Sequence, residues 1–457
     1  MRFTALFILS ALIYAIALGQ STLSLAEAAE MTFATNNKIR AAKYQAIAAK
    51  RNRQTALSLF SPQINIHSGW VHAQKDLYID INPLKPLLGS LDIAPLLGLD
   101  WKYTIQNRNF GFIEADITVP IFTGGKIISA VKAAKISEQI AITQSLAQEQ
   151  ATFTKLIEHY FALSIASSAV SVRAEVVKGL QRHMDNISDL ESLGMATKAE
   201  VLYVKYRLAQ AEQELSTATS TLNLAHKALC TTVGCEQIGM LSTPLFYLPT
   251  IESAEYFTTL ALQNNTQLSE VKDQQQLAKQ NIAIHRAEFF PEIVALGGGG
   301  FTRNVTNILP RWAVGVGLNF KLFDGLKREY QYSAAKNTYR QVEALEIAAE
   351  EDIRLLVTSL YNKTISTLEQ IFALQKSIDF ATEYLQMQQA AFDEGAATST
   401  AVIDATIELA AVRLEQLKYA YEFDTTLAQL LEATGASHTY FNYSNSPAKY
   451  TLNYEKE

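Results

Sequence analysis

The residues of this 457-residue chain that could do chemistry are few, and their spacing argues against catalysis. The seven histidines never form the H-E-x-x-H pattern, which sets two metal ligands and a base on one helix face. The run from Gly297 to Gly300 lies in an alternating, strand-like segment, so it does not open a helix as a phosphate-binding loop would. We therefore predict no enzymatic activity, no metal and no cofactor.

The two cysteines of the chain, Cys230 and Cys235, lie on either side of Gly234 at the expected end of a helix. In an oxidising compartment they could form a disulfide, provided that the helix breaks at Gly234 and brings them together. Two free thiols are an equal alternative, and the sequence leaves both open.

The N-terminal residues of the chain predict export, and its net charge limits the possible partners. Residues 1–19 are interpreted as a cleaved signal peptide, because Arg2 precedes an apolar run and small residues precede Gln20. After it we find no run of eighteen apolar residues, so a membrane crossing would have to use strands. The net charge of −6 argues against nucleic acid as a partner.

The elements that must position any functional residue occur twice. Val119 to Lys126 returns as Phe320 to Lys327, and the offset of 201 then holds without a gap to the pair Gly234 and Gly435. A repeat this long predicts two equivalent structural units. The predicted segments are a first repeat at 20–234, a linker at 235–255, a second repeat at 256–435 and a polar C-terminal tail at 436–457.

Four segments alternate with period two, as strands with one apolar face do. Trp70 and Trp312 lie at strand ends, where interfacial aromatic residues belong. Four strands cannot close a barrel, and an open edge in lipid would leave backbone groups unpaired, so we predict that three chains together supply twelve strands. The polar residues expected to face the barrel lumen are Glu114, Asp116, Asn319 and Lys321.

The two copies differ most between their first two strands, where the first copy is longer. The extra residues, 73–101, contain several prolines and Leu-Leu pairs. Long connections lie at the outer face of membrane barrels, so this segment is predicted to be an enlarged external loop.

Long helices follow each pair of strands. Between Lys126 and Glu191 there is no proline and one glycine, and apolar residues recur at heptad spacing in the same phase in both copies. Such a helix would be about 100 Å long. Gly194 and Gly395 are predicted to end the long helices, and return helices of half the length follow each turn.

In their order and duplication, these features resemble the TolC-type family of outer-membrane efflux proteins. The residues that carry the resemblance are Asn36-Asn37, the strand opening at Pro62, the run Pro120 to Gly125, and the Gly194 turn with its helix to Gly234. The resemblance implies a mainly α-helical homotrimer with a twelve-stranded transmembrane β-barrel and a coiled-coil helical tunnel. It also implies the outer membrane of a Gram-negative bacterium as the location.

The function that the resemblance implies is that of a passive exit channel for efflux or type I secretion. Its partners would be outer-membrane lipid, a periplasmic adaptor protein and an inner-membrane transporter of the RND, ABC or MFS class, and its cargo drugs, toxins or proteins. The helical turns would contact the adaptor, and an acidic ring would narrow the entrance. The residues implied are Leu193, Gly194, Met195, Glu394, Gly395 and Ala396 at the tips, and Glu200 and Asp404 in the ring.

The chain departs from the family at its second tip. Phe392 and Ala397 stand where the family's pattern has a tyrosine and an arginine that hold the closed state, and Ala401 replaces a second acid. Another interaction must therefore keep the tunnel closed. Two rival interpretations are a periplasmic adaptor protein, which also carries helical hairpins, and a soluble coiled-coil scaffold; the amphipathic strands argue against both.

Overall fold

The structure is a computed structural model that describes residues 22–83, 102–301 and 310–452. The predicted signal peptide and most of the predicted external loop at 73–101 lie outside the described residues. The chain divides into two compact units. The helical unit comprises Met1–Ala46, Ile140–Lys272 and Ala344–Glu457, and the sheet unit comprises Ile47–Gln139 and Asp273–Glu343.

The sheet unit is built on four antiparallel strands that fall on the four alternating segments of the sequence. They are β1 (Gln63–His72), β4 (Asn109–Phe122), β6 (Glu292–Gly300) and β7 (Trp312–Asn319), in the order β1-β4-β6-β7. Each neighbour pair is antiparallel. In this order β1 and β7 are the edge strands of the sheet. Within the predicted external loop, β2 (Leu77–Asp80) pairs with β3 (Lys102–Gln106), which begins directly after that loop.

The helices repeat in length as well as in order. The first copy has α1 (Leu25–Thr35), α2 (Asn37–Ser58), α3 (Lys126–Ser192) and α4 (Lys198–Val233), of 11, 22, 67 and 36 residues. The second has α5 (Ala254–Asn264), α6 (Thr266–Ala287), α7 (Lys327–Asp393) and α8 (Ser399–Ala433), of 11, 22, 67 and 35 residues. The short helices α1 and α5 were not predicted.

In the helical unit, an asparagine side chain in each repeat binds a backbone carbonyl at the end of the return helix. Asn265 ends α5, donates from its side chain to Ala433 O at 2.7 Å, and accepts from Leu268 N–H at 2.9 Å. Asn36 stands between α1 and α2 in the same way and accepts from Lys38 N–H. One amide side chain thus starts a helix and holds the end of the return helix, which satisfies backbone groups that a helix end leaves open.

Residues 437–452, expected as a polar tail, form a 3-10 helix (Ser437–Thr439), α9 (Tyr440–Ser444) and β8 (Tyr450–Leu452). β8 pairs with β5 (Leu245–Tyr247) of the linker. Tyr440 is fully buried and donates its hydroxyl proton to Asp424 Oδ1 at 3.0 Å. Burial raises the pKa of the Asp424 carboxyl well above its usual range.

Among the described residues, α3 is the one helix long and apolar enough to cross a membrane, although we expected none. Of its most apolar 18-residue window, 39% is buried inside the protein. Length and composition of this kind are equally typical of a packed helix, and the heptad spacing accounts for the apolar residues of α3.

Candidate tips, entrance residues and sheet face

The two predicted tips are exposed turns of the same backbone shape. Gly194 and Gly395 both have a φ of +75°, a left-handed conformation that glycine adopts without strain. The residue after each glycine donates its N–H back to the long helix, from Met195 to Leu190 O at 2.8 Å and from Ala396 to Ala391 O at 2.7 Å. The other four predicted contact residues at the tips lie at the surface too: Leu193, Gly194, Glu394 and Gly395.

The first tip is closed by a capping box that uses a predicted entrance residue. Thr197 Oγ1 accepts from Glu200 N–H at 3.3 Å, while the Glu200 carboxylate accepts from Thr197 N–H at 2.8 Å and from its hydroxyl at 2.9 Å. These bonds lower the pKa of Glu200, because they favour the charged form. Glu200 is thus an ionised N-terminal residue of α4, and its place in an acidic ring stays a prediction.

The second predicted entrance residue, Asp404, lies within an ion pair that joins the two repeats. Arg207 Nη2 of α4 is 3.5 Å from Asp404 Oδ1 of α8. Arg207 is seven residues after Glu200, so one heptad separates them and both lie on the same face of α4. Asp404 is exposed, but its charge is partly balanced by Arg207.

A histidine forms a further tie between the two helical hairpins. His183 of α3 is buried, its Nε2 lies 2.6 Å from Ser399 Oγ at the start of α8, and its ring lies 4.9 Å from that of Phe392. Burial lowers the pKa of His183, since it disfavours the charged form. Arg413 of α8 lies 3.2 Å from Glu175 of α3. His183, Phe392, Glu175 and Arg413 line a cavity of about 610 Å³ between α3, α7 and α8.

One face of the sheet is charged, mainly in its first hairpin. Asp116 accepts from Asn65 Nδ2 at 3.0 Å and lies 2.9 Å from His67 Nε2. Glu114 stands directly opposite His67 in the register of β1 and β4. The predicted lumen residues Glu114 and Asp116 therefore share one face with two polar residues of β1.

The second hairpin brings less charge to that face. Asn319 ends β7 opposite Glu292, and Lys321 lies after the strand. Farther along β6 and β7, the positions on this face hold only glycine, alanine or aliphatic residues. They are Val294, Leu296, Gly298, Ala313, Gly315 and Gly317.

The opposite face of the sheet is apolar and open. Ile66, Val314 and Trp312 expose 72%, 77% and 70% of their surfaces, far more than packing inside a soluble protein would leave. Their parity along the strands puts them on one side. An apolar face of this extent requires a partner that is itself apolar.

The remaining predicted site residues, Cys230 and Cys235, are present as free thiols at the end of α4. Among the described residues, no cluster of histidine, cysteine, aspartate or glutamate could hold a metal ion. Sequence reasoning missed Arg207 and His183, whose partners lie in the other repeat. A signal for the capping box was present, because Thr197-Lys198-Ala199-Glu200 matches the pattern of threonine followed three residues later by glutamate.

The paired long helical hairpins and the four-stranded antiparallel sheet give this chain the same fold as several solved outer-membrane proteins. VceC of Vibrio cholerae is similar over 90% of this chain and 96% of its own, with a TM-score of 0.73 and 15% identity. CmeC of Campylobacter jejuni is similar over 92% of this chain and 89% of its own, with a TM-score of 0.74 and 12% identity. At these identities the likeness shows the fold.

The sequence comparisons point to the same family. The family model described as outer membrane efflux protein matches residues 258–436, most of the second repeat. Outer membrane protein TolC of Vibrio cholerae serotype O1 is 23% identical over 369 residues, which cover 75% of this chain and 82% of the relative. The predicted resemblance to the TolC-type outer-membrane efflux proteins is therefore confirmed, and the comparisons agree with the predicted outer-membrane localisation. These relatives are channel proteins, which agrees with the prediction of no enzymatic activity.

Proposed function

We propose that this chain is the outer-membrane exit channel of a tripartite efflux or type I secretion system. The observation that carries the proposal is the sheet of the sheet unit, which is apolar and exposed on one face and carries Asn65, His67, Glu114 and Asp116 on the other. A strand set of this kind suits a wall between lipid and water.

The edges of that sheet support a homotrimer. β1 and β7 each present one side without a partner strand among the described residues. Unpaired backbone groups cost several kcal/mol each in lipid, so the edges must be covered. If β1 of one chain pairs with β7 of the next, three chains close a barrel of twelve strands, above the smallest known membrane barrels of about eight.

The tips support docking to a periplasmic adaptor and, through it, to an inner-membrane pump of the RND, ABC or MFS class. Leu193 and Met195 expose 72% and 74% of their surfaces in a turn that no other described element covers. Exposed aliphatic and sulfur-containing side chains at a rigid turn are suited to a helical partner. The tips belong to the helical unit and the apolar face to the sheet unit, so the two proposed contacts use different parts of the chain.

At the entrance, we propose that Asp404 lies on the path of the cargo and that Arg207 limits its charge. Carboxylate rings favour cations. In planar bilayers, Arg207→Gln should raise cation selectivity and Asp404→Asn should lower it, with Lys418→Gln as a control away from the tip. Equal selectivity in all three variants would remove Asp404 from the pore.

The experiment that tests the proposal is the mass of the protein extracted from outer membranes in detergent, measured by light scattering and corrected for bound detergent. A trimer is expected. A monomer, or recovery in the soluble periplasm, would end the channel proposal and favour the adaptor alternative.

A further inference from the structure

The end of α4 carries a pair of thiols for which transport gives no role. Gly234 follows the helix with a φ of +80°, and Cys235 donates its N–H to Cys230 O at 3.1 Å. This bond belongs to the Schellman ending of a helix, in which the residue after the glycine packs on the residue five positions earlier. The side chains of Cys235 and Cys230 therefore lie next to each other across the end of α4.

The second repeat builds the same turn without sulfur. At the offset of 201 residues, Leu431 and Ala436 replace Cys230 and Cys235, and Ala436 donates its N–H to Leu431 O at 2.9 Å. Leu431 and Ala436 expose 1% and 7% of their surfaces, so they form the apolar contact that usually accompanies this turn. Packing alone therefore does not require two cysteines in the first repeat.

His226 lies one helical turn before Cys230. Its ring nitrogen nearest the thiol can accept a proton. His226 Nε2 lies 3.4 Å from Ile238 O, and a carbonyl oxygen can only accept, so Nε2 carries the proton in this contact. Nδ1 is then an acceptor, and it lies 3.6 Å from Cys230 Sγ. Cys230 Sγ also lies 3.7 Å from Glu236 O. The second repeat has the fully buried Leu427 in place of His226.

The two thiols differ in access. Cys230 is buried, whereas Cys235 is half-buried. His226 lines a cavity of about 660 Å³ together with Met240 and Thr243. Burial and the neighbouring Cys230 raise the pKa of the Cys235 thiol, so its reaction with a reagent should accelerate as the pH rises.

We propose that Cys230 and Cys235 are a redox-active dithiol that closes to a disulfide by exchange with a disulfide reagent, with His226 as the proton acceptor. The Cys235 thiolate attacks one sulfur of the reagent, and the first reagent thiol leaves with a proton from water. Cys230 then passes its proton to His226 Nδ1 and attacks the Cys235 sulfur, and the second reagent thiol leaves with that proton. Two electrons pass from the cysteines to the reagent. This proposal goes beyond the channel function and does not depend on it.

The test uses the full-length protein in detergent, reduced and then exposed to oxidised glutathione at neutral pH. Free thiols are counted with a maleimide and the intact mass is measured. We expect both thiols to disappear together, with the loss of two hydrogen atoms and no retained glutathione. Unreacted thiols, a stable glutathione adduct on Cys235, or a disulfide between two chains would each overturn the proposal.

Matched variants come from the second repeat. Cys235→Ala copies Ala436 and should leave Cys230 unlinked, with loss of its thiol slowed at least about tenfold because it is buried. His226→Leu copies Leu427 and should slow closure about tenfold at neutral pH, with the difference shrinking at alkaline pH. His226→Gln serves as a second variant if His226→Leu loses its helical circular dichroism. Closure at the wild-type rate in a folded His226 variant would overturn the role of the histidine.

Discussion

The two repeats of this chain have the same backbone and different side chains at the points where that backbone turns. The helices of 11, 22 and 67 residues recur without a change of length, and glycines of positive φ recur at both tips and both return-helix ends. The turns from the sheet into the long helices differ, because the first copy has Gly124-Gly125 where the second has Gly325-Leu326. The tips differ too, since Glu200 completes a capping box and Ala401 cannot.

This difference teaches that helix length and turn geometry are shared requirements, while charge and chemistry are distributed unequally. Charged residues of the sheet belong mainly to the first hairpin, and the thiol pair belongs to the first return helix alone. The second return helix alone has a buried acid at this position: Asp424 is buried, and the equivalent residue of the first repeat is the exposed Asn223. Substitutions that exchange residues between the copies therefore test which differences matter.

The largest expected effect comes from the glycines that end the return helices. A Cβ at Gly435 would lie 2.2 Å from the backbone oxygen of Asn264, whereas a Cβ at Gly234 would lie 2.6 Å from the hydroxyl of Thr35. A backbone oxygen cannot move aside as a side chain can. Gly435→Ala should cost about 3 kcal/mol of unfolding free energy and Gly234→Ala less. Chemical denaturation measures both, with Gly194→Ala, which meets no atom within 4 Å, as the strain-only control.

The buried acid should give the next largest effect. Asp424 accepts from Phe246 N–H at 3.3 Å and from the hydroxyl of Tyr440, so Asp424→Ala should cost about 2 kcal/mol by leaving both donors unsatisfied. Asp424→Asn copies the first repeat and should cost less, because its amide oxygen can accept one of these bonds. The measurement is again the midpoint of denaturation, and an equal loss in the two variants would contradict the hydrogen-bond account.

The same residue predicts a pH dependence with a definite sign. The pKa of Asp424 is raised in the folded state, so the fold holds this proton more tightly than the unfolded chain does. Its contribution to stability is complete below the unfolded pKa and is lost as the pH rises toward the folded pKa. As the pH rises, wild type should therefore lose stability relative to Asp424→Asn. A stability difference that stays constant from acid to neutral pH would contradict this prediction.

A smaller effect is expected at the start of the long helices. Leu326 has a φ of +66°, where a side chain is strained, and the equivalent Gly125 has a φ of +87°. Leu326→Gly should raise the thermal midpoint, with a gain of about 1 kcal/mol, and Gly125→Leu should lower it by a similar amount. If Leu326→Gly lowers the midpoint, then contacts of the leucine outweigh the strain.

The smallest effect belongs to the tips. Ala401→Glu would give the second tip the box that Thr197 and Glu200 form in the first, and should stabilise by about 0.5 kcal/mol at neutral pH. Because the pKa of Glu200 is lowered, the first box contributes above the unfolded pKa of the glutamate and is lost as the pH falls. Hydrogen exchange at the first turn of α4 and α8 resolves both changes, and identical exchange in the variant and wild type would contradict them.

The sequence predicted the elements well because their signals are local. Period-two alternation located β1, β4, β6 and β7, and heptad spacing between glycines located α3, α4, α7 and α8 within a few residues. Contacts between the repeats were not predictable, since neither periodicity nor spacing indicates that Arg207 meets Asp404 or that His183 meets Ser399. Folded structure in the C-terminal residues was also missed, because their polar composition hides the buried Tyr440.

The most direct test of the central claim is cross-linking of the two sheet edges. Ile66→Cys on β1 and Val316→Cys on β7 place thiols on the same exposed face, in a background where Cys230→Leu and Cys235→Ala remove the native thiols. With a flexible bis-maleimide in native outer membranes, the account predicts a ladder of monomer, dimer and trimer that stops at the trimer, and no trimer from either single-cysteine variant. Monomer alone, or a ladder that continues beyond the trimer, would contradict a barrel closed by three chains.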